Sequence, residues 1–361
     1  MTHSSPKIVI VGGGIVGAAI AWQLTRRGAE VTLIEAGGIG GQATAASWAW
    51  TNATAHNPKP YFDLRAASMA EWDRIAAEVD DLTYVRSGTL YADNERFDTE
   101  AFIANHTAWG YDVRSVSLEQ ARRYEPAVRD LEGPLALCDC EGAVDATAAA
   151  ITLSTEARKA GAMVFTGIPI DAVSVDGEGR VDGVIMNDAP IKANEVVVAA
   201  GGETPRIVEP LGVTLPMETP RGVLATTKPL PRLIERNILL PGLHVRQKAD
   251  GALLAGASFG GEAADLEPKE IADNLIARIR TSLAGAEQAE LDHFSVGYRP
   301  TPADGFPVVG RPSQIGGLYI ATMHSGVTLA PIVARLTADE IVDGRRDELL
   351  TPFGVDRFVQ Q

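Results

Sequence analysis

Short apolar runs alternate along the chain with longer segments whose apolar residues recur at helical spacing. The apolar runs predict buried strands at residues 7–11, 31–34, 162–166, 195–200 and 318–321. The longer segments predict helices at residues 14–27, 146–160 and 327–343. Asp145 stands where the N-cap of the second helix is expected. Because short strands alternate with helices, the pattern predicts a parallel sheet with helices packed on it.

Two intervening segments, 61–140 and 203–299, have a different pattern. The first combines an amphipathic helix at 61–79 with an alternating polar and apolar segment at 83–91. The second contains extended stretches at 213–227, 238–246, 252–258 and 291–298. Strands of this kind are typical of antiparallel sheets, so the two segments together should build one second sheet.

The two patterns together predict an α/β protein with two domains. A Rossmann-like parallel-sheet domain would be assembled from residues 1–60, 141–202 and 300–361. An inserted domain with a mixed or antiparallel β-sheet would come from residues 61–140 and 203–299. A chain of 361 residues is long enough for two cores, and the junction between them is the expected ligand site.

Charge and composition exclude several classes of partner. The chain has 47 acidic and 32 basic residues and a formal net charge of −15, which argues against nucleic acid and anionic membranes. No apolar run approaches the roughly 20 residues that span a bilayer, so we expect no integral membrane segment and a cytoplasmic location. Cys138 and Cys140 are too close in sequence for a good disulfide and too few for a zinc site. We expect reduced thiols and no metal.

The most specific motif lies at the N-terminus. Gly12, Gly14 and Gly17 follow the first strand and open the first helix, and Glu35 ends the second strand. This is the dinucleotide-binding fingerprint, in which the glycines permit a tight turn, close approach of a pyrophosphate and close packing of the helix on the sheet. An acid at the end of the second strand can accept the ribose hydroxyls. It therefore favours FAD or NAD over NADP.

Three further glycine-rich segments follow in order: 40–47, 196–201 and a C-terminal block that runs over 297–310 and 324–331. Together with the N-terminal fingerprint they resemble the D-amino-acid oxidase-like family of FAD-dependent oxidoreductases, which includes glycine oxidase and sarcosine oxidase. The resemblance covers essentially the whole chain. It implies the α/β fold described above, a bound FAD and an oxidoreductase activity.

The resemblance also implies which residues contact FAD. The loop 40–47 is small and hydroxylated, as a ribityl chain requires, and the amides that open the last helix would face the flavin pyrimidine carbonyl. The implied contacts are Gly12, Gly14, Ile15, Val16, Gly17, Glu35, Ala36, Gln42, Ala43, Thr44, Ser47, Trp48, Val173, Ala200, Gly201, Arg299, His324, Ser325, Gly326, Val327 and Thr328. No cysteine lies in the flavin-presenting segments, so we expect noncovalent FAD.

Arg299 is the first candidate for a catalytic role. In amino-acid-oxidising relatives the arginine of this Arg-Pro motif pairs with the substrate carboxylate, a task that suits a guanidinium fork; a structural salt bridge is the alternative. His244 falls where glycine oxidase-like proteins carry a tyrosine that contacts the carboxylate, although a surface histidine is equally compatible. Leu254 stands where sarcosine oxidase-like members have an oxygen-activating lysine. Its presence favours a slow oxidase or a dehydrogenase.

Aromatic side chains follow the loop 40–47. The resemblance places this segment near the flavin, where Trp48, the third catalytic candidate, would exclude water from a hydride transfer. Core packing on the inserted domain is the alternative. The polar and aromatic residues of the segment are Trp48, Trp50, Asn52 and His56. Arg65 and Arg86 are interpreted as solvated, with a contribution of positive charge to the pocket as the alternative.

The implied reaction is oxidation of the C–N bond of a small amino acid or N-substituted amino acid, giving an imine that hydrolyses to an oxo acid. One alternative is an FAD-dependent 2-hydroxy acid dehydrogenase. Another is the FAD-binding subunit of a multi-subunit dehydrogenase. The expected partners are a small amino-acid or amine substrate and oxygen or a quinone-linked electron acceptor, and a homo-oligomer is compatible with the sequence.

Overall fold

The computed structural model describes residues 5–54, 57–93, 98–129, 131–257 and 266–359. The strands are β1 Lys7–Val11, β2 Glu30–Glu35, β3 Trp50–Thr51, β4 Tyr84–Val85, β5 Thr89–Tyr91, β6 Val113–Val116, β7 Leu135–Cys138, β8 Gly142–Val144, β9 Met163–Thr166, β10 Ala172–Val175, β11 Val181–Met186, β12 Ala189–Lys192, β13 Glu195–Val198, β14 Met217–Glu218, β15 Arg221–Thr227, β16 Asn237–Leu240, β17 Leu243–Gln247, β18 Leu253–Gly256, β19 Leu291–Tyr298, β20 Thr301–Pro302, β21 Val308–Gly310 and β22 Leu318–Thr322. The helices are α1 Ile15–Arg26, α2 Gln42–Ala45, α3 Lys59–Ala76, α4 Thr99–Ala108, α5 Leu118–Tyr124, α6 Ala146–Lys159, α7 Thr204–Val208, α8 Pro268–Ser282 and α9 Gly326–Asp343.

The first sheet has the order β21-β22-β13-β1-β2-β9. All strands except β21 run parallel, which confirms the predicted Rossmann-like sheet. Successive residues of β1 enter different cores: Ile8 and Ile10 pack with α1, α6 and α9, whereas Val9 and Val11 pack with β11 and α7 on the other face. A strand that is buried on both faces reads as a continuous apolar run, which is the pattern that predicted it.

The second sheet has the order β19-β15-β18-β17-β16-β5-β7-β6, and its strands come from both intervening segments, as predicted. All neighbours are antiparallel except β5 and β16, so the sheet is mixed. Helix α8 packs on one face, and an aromatic-rich cluster that includes Tyr91, Leu239 and Phe62 covers part of the other. This second face is the one that meets the first domain, because Trp48 and Trp50 pack against the same cluster.

The alternating segment 83–91 forms two short strands that belong to different sheets. Gly88 has φ +81° and separates β4, which joins a three-stranded sheet with β3 and β8, from β5 in the large sheet. A Cβ on Gly88 would lie 3.1 Å from the carbonyl oxygen of Cys138, so the bend is also sterically specific to glycine.

The division of the chain at residue 60 stays a proposal. Helix α3, which that division assigns to the inserted domain, shares a hydrophobic core with α1 and α9. The indole nitrogen of Trp72 donates to the carbonyl oxygen of Val327 at 3.0 Å, and Ser68 Oγ donates to that of Thr328 at 2.6 Å. The contact fixes α3 beside the start of α9, so residues of both helices meet at one place.

Candidate cofactor and substrate site

The glycine turn between β1 and α1 has no room for side chains. Gly12 has φ +107°, and a Cβ there would lie 2.5 Å from the carbonyl oxygen of Ala199. A Cβ on Gly17 would lie 1.9 Å from the carbonyl oxygen of Gly12. The helix therefore starts in direct contact with the sheet, at the carboxyl ends of β1 and β13. Its first turn contains no acidic residue, which leaves the positive end of the helix dipole for a bound anion.

Glu35 and its neighbours lie at one end of this turn. The Glu35 carboxylate accepts hydrogen bonds from the backbone nitrogens of Gly13, at 2.6 Å, and Gly37, at 2.7 Å. Ala36 is exposed beside it. Val173 lies in β10, with its side chain half-buried against the core under the first sheet. The roles of Ala36 and Val173 as FAD contacts stay predictions.

The loop that contains α2 lies against the same turn. Thr44 Oγ1 accepts a hydrogen bond from the Ile15 nitrogen at 3.1 Å, and a Cβ on Gly14 would lie 3.2 Å from that hydroxyl oxygen. The loop also reaches the second sheet, since a Cβ on Gly297 of β19 would lie 2.7 Å from the Cβ of Ala46. The loop therefore connects the nucleotide turn to the strand that precedes Arg299. Gln42, Ala43 and Ser47 are the other predicted contacts within it.

The start of α9 closes the site from a second direction. Ser325 has φ +60° and makes no side-chain cap on the helix. Gly326 lies against Val16, to which a Cβ would approach within 3.3 Å, and Thr328 Oγ1 donates to the carbonyl oxygen of Trp50 at 3.0 Å. Gly201, after β13, accepts from Thr322 Oγ1 at 3.1 Å. Most predicted FAD contacts, including Ala200, His324 and Val327, thus follow the carboxyl ends of the parallel strands and lie along that edge of the sheet.

Arg65 is not the solvated residue that we expected, because only 5% of it is exposed. Its guanidinium donates to the carbonyl and side-chain oxygens of Asn52, at 3.0 and 2.6 Å, and to Ser325 Oγ at 2.7 Å. Burial and the nearby Arg65 and Arg299 lower the pKa of His324 to about 4, so His324 is neutral at neutral pH. Arg86 is exposed and pairs with Asp73 at 3.2 Å, which confirms the expectation for that residue.

Arg299 follows β19 and is placed by a glycine that the sequence reasoning missed. Its Nη1 donates to the carbonyl oxygen of Arg221 at 2.8 Å, and its guanidinium lies on Gly222, where a Cβ would come within 2.3 Å of Nη2. A glycine inside a strand marks a close approach, so Gly222 could have been found from the sequence. Because Gly222 has no side chain, the guanidinium of Arg299 can lie directly on β15.

His244 is 9% exposed, so the surface alternative was wrong. Its ring lies 5.9 Å from that of Trp48, and its Nε2 is 3.4 Å from Asp93 Oδ2. Strand pairing puts His244 opposite Gly256, and Gly256 opposite Leu224. Leu224 is two residues from Gly222 on the same face, so the histidine and Arg299 flank a part of the sheet that carries two glycines.

Trp48 is held in place by two hydrogen bonds. Its indole nitrogen donates to the carbonyl oxygen of Leu254 at 3.1 Å, and its own carbonyl oxygen accepts from Arg246 Nε at 2.8 Å. Trp50 lies edge-on to it, with ring centroids 5.7 Å apart. Both indoles are half-buried and pack against the cluster on the second sheet, as the packing alternative expected; the water-excluding role of Trp48 stays a prediction. His56 lies outside the described residues.

A sequence profile of the family described as "FAD dependent oxidoreductase" matches residues 7–340. The chain belongs to this family. Among its relatives, the glycine oxidase of Geobacillus kaustophilus is 26% identical over 99% of this chain and 98% of its own. A protein of Rhizobium meliloti that is named as one subunit of an opine oxidase is 25% identical, with 98% of each chain covered. The crystal structure of the Geobacillus kaustophilus glycine oxidase superposes with a TM-score of 0.87 at 24% identity, covering 98% of this chain and 99% of that one.

The residues of this oxidoreductase fit FAD. The glycine turn before α1 and the start of α9, which has no side-chain cap, would offer backbone amides to a diphosphate and to an electron-rich ring, and Glu35 would offer carboxylate oxygens to ribose hydroxyls. Thr44 and Ser47 would provide hydroxyls along the loop that contains α2. Among the described residues, no helix is both long and apolar enough to cross a membrane, and no group of three or more metal-binding side chains is present.

A fully buried acid supports the aromatic segment of the oxidoreductase. Glu141 accepts hydrogen bonds from Trp50 Nε1 at 3.0 Å, Tyr91 Oη at 2.8 Å and Tyr111 Oη at 2.6 Å. Burial raises the pKa of Glu141 to about 7, against the lowering effect of these hydrogen bonds. Sequence reasoning missed this residue, because its donors come from three distant segments.

Glu141 should make the oxidoreductase less stable as the pH rises. Its pKa is about 7 in the folded protein and 4.5 ordinarily, so the folded state retains a proton that the unfolded state releases. The stabilisation from this proton is complete below about pH 4.5 and is lost as the pH rises through about 7. The free energy of unfolding falls by about 3 kcal/mol over this range. Urea unfolding at about pH 5 and about pH 8 should therefore show a smaller stability difference for Glu141→Gln than for wild type. Equal differences would contradict the assignment.

The two thiols should not react in the native protein. Cys138 and Cys140 are both free and buried. Burial raises the pKa of Cys140 to about 11 and that of Cys138 well above its ordinary value. At about pH 7 only about 1 in 10,000 molecules then carries a Cys140 thiolate. A colorimetric disulfide reagent should detect both thiols in denaturant and neither without it; rapid native labelling would contradict this.

Proposed function

We propose that this oxidoreductase oxidises the C–N bond of a small amino acid or an N-substituted amino acid. The substrate would lose a hydride from the α-carbon, and the resulting imine would hydrolyse in water to an oxo acid and ammonia or an amine. The family supports the use of FAD, and the names of the relatives, a glycine oxidase and an opine oxidase, support amine substrates. FAD, when bound, supplies the hydride acceptor.

The position of Arg299 on Gly222 carries this proposal. The guanidinium has a fixed orientation because Nη1 is held by the Arg221 carbonyl and its plane lies on a glycine. A planar fork with fixed orientation binds a carboxylate through two parallel hydrogen bonds. It would hold the α-carbon at a defined distance from the flavin, which is the requirement for efficient transfer. The neutral amine provides the electron pair that expels the hydride, so no side-chain base is required.

Other residues shape the pocket. Trp48 and Trp50 would exclude water from the transfer, and His244, kept in place by Asp93 and Trp48, would close the end opposite Arg299. Leu254 contributes no charge, which supports slow reoxidation by oxygen or use of a quinone-linked acceptor. Cys138 at the end of β7 and Cys140 in the turn after it are both free and buried, which supports noncovalent FAD. The cytoplasmic location stays an expectation from the sequence.

A paired substrate screen tests the proposal. The FAD-loaded protein is incubated with 2-amino acids, their N-methyl derivatives and the matching 2-hydroxy acids, with a redox dye as acceptor. The proposal predicts dye reduction with amino or N-methyl acids, accompanied by an oxo acid and ammonia or methylamine in equal amounts. Turnover of the hydroxy acids alone would overturn it in favour of a 2-hydroxy acid dehydrogenase.

A second candidate function is that of an FAD-containing component of a larger enzyme, because the Rhizobium meliloti relative is named as one subunit of an opine oxidase. Such a component would bind FAD but require its partner for turnover. If the lone chain binds FAD and reduces no dye with any substrate, while a partner that co-purifies with it restores turnover, this second hypothesis is correct.

A further inference from the structure

Arg65 is a buried cation whose acceptors are all neutral. It lies on α3, and its guanidinium donates to Asn52, Ser325 and Tyr61, through carbonyl, amide or hydroxyl oxygens. Within the part of the chain that the structure describes, no carboxylate pairs with it. A second arginine acts on the same place, since Arg65 and Arg299 both add to the effect of burial in lowering the pKa of His324.

The surroundings of Arg65 add positive charge instead of compensating its own. A guanidinium that is removed from water is costly unless an opposite charge or strong dipole accompanies it. The start of α9, which carries a positive partial charge, lies beside the guanidinium, and Arg65 contacts it through Ser325. Three positive features therefore converge where an 18-residue helix begins without a side-chain cap. A negative charge from a ligand would compensate Arg65 and the positive end of the helix.

We propose that Arg65 supplies a fixed positive charge that stabilises negative charge on the reduced flavin. The proposal depends on bound FAD and not on which substrate is oxidised. A role as a second carboxylate anchor fits less well, because Nε, Nη1 and Nη2 all donate to protein oxygens already. A substrate carboxylate would have to break those bonds to pair with two nitrogens, whereas a diffuse ring charge interacts without doing so.

Sulfite binding measures this charge without turnover. Sulfite donates its lone pair to form a bond with flavin N5, and the electron density that is displaced remains as negative charge on the ring. We expect Arg65→Gln to raise the sulfite dissociation constant by about tenfold or more, which corresponds to about 1.4 kcal/mol. Arg65→Lys, which retains the charge, should remain within about threefold of wild type. Arg74→Gln is the matched control, because Arg74 lies on the same helix but is exposed and paired with Glu71 and Glu78.

Each outcome decides the proposal. The midpoint potential of the flavin should fall in Arg65→Gln and not in Arg74→Gln. Unchanged sulfite affinity in an Arg65→Gln protein with full FAD content would overturn the proposal, as would an Arg65→Lys protein as weak as the glutamine variant. If Arg65→Gln does not retain FAD, Arg65→Lys decides alone: near wild-type affinity supports the charge, and a tenfold loss contradicts it.

Discussion

Replacement of Arg299 by alanine is expected to lower kcat/KM for the amino-acid substrate by about 100-fold or more, while FAD remains bound. A hydrogen bond to a charged group contributes about 1.5–3 kcal/mol, so losing a bidentate pair removes about 3 kcal/mol or more. Each 1.4 kcal/mol corresponds to about tenfold. The measurement is steady-state kinetics with the best substrate of the screen, together with the FAD content of the purified variant.

Two further variants separate the fork from the charge at this position. Arg299→Lys keeps a cation but cannot form two parallel bonds, so we expect a loss of about tenfold, largely in KM. Arg278→Ala is the control, because Arg278 is an exposed arginine that also donates to a backbone carbonyl, that of Pro241. Wild-type kinetics in Arg299→Ala would show that the residue is structural.

Replacement of Gly17 by alanine is expected to abolish FAD binding. Alanine is a better helix former than glycine, so helix propensity alone would make the variant more stable. The added Cβ, however, would lie 1.9 Å from the carbonyl oxygen of Gly12. Backbone cannot rotate away as a side chain can, so α1 must move from the sheet, and we expect a destabilisation of about 3 kcal/mol together with a distorted anion site. FAD content and Tm measure the two effects.

Gly38→Ala is the matched control for that prediction. Gly38 lies in the same region of the fold, but a Cβ there has no neighbour within 4 Å. It should therefore retain FAD and a wild-type Tm. A Gly17→Ala protein that purifies with full FAD content would show that the turn tolerates a displacement of α1.

The fold was largely predictable because its strongest signals are local. Apolar runs on the parallel strands reflect burial on both faces, and Asp145 caps α6 as predicted, accepting from the Ala148 nitrogen at 3.0 Å. The break at Gly88 was missed, since the alternation continues through a residue that turns the chain into another sheet.

The site was predictable in part. Helical spacing on α3 places Arg65 on the same face as Tyr61, Leu64 and Trp72, which are all buried, so its burial could have been inferred from the periodicity. The environment of His244 could not, because it depends on the register of β16, β17 and β18 and on Asp93, which lies far away in the sequence. Long-range pairing of this kind leaves no local pattern.

Anaerobic reduction of the bound flavin is the most direct test of the central claim. The FAD-loaded protein is mixed, without oxygen, with an amino acid or N-methyl amino acid, and the visible flavin absorption is followed. We predict that the band bleaches in wild type, that it bleaches far more slowly in Arg299→Ala at the same substrate concentration, and that 2-hydroxy acids leave it unchanged. Bleaching by hydroxy acids alone, or no bleaching by any amine with FAD firmly bound, would contradict amine oxidation by this chain.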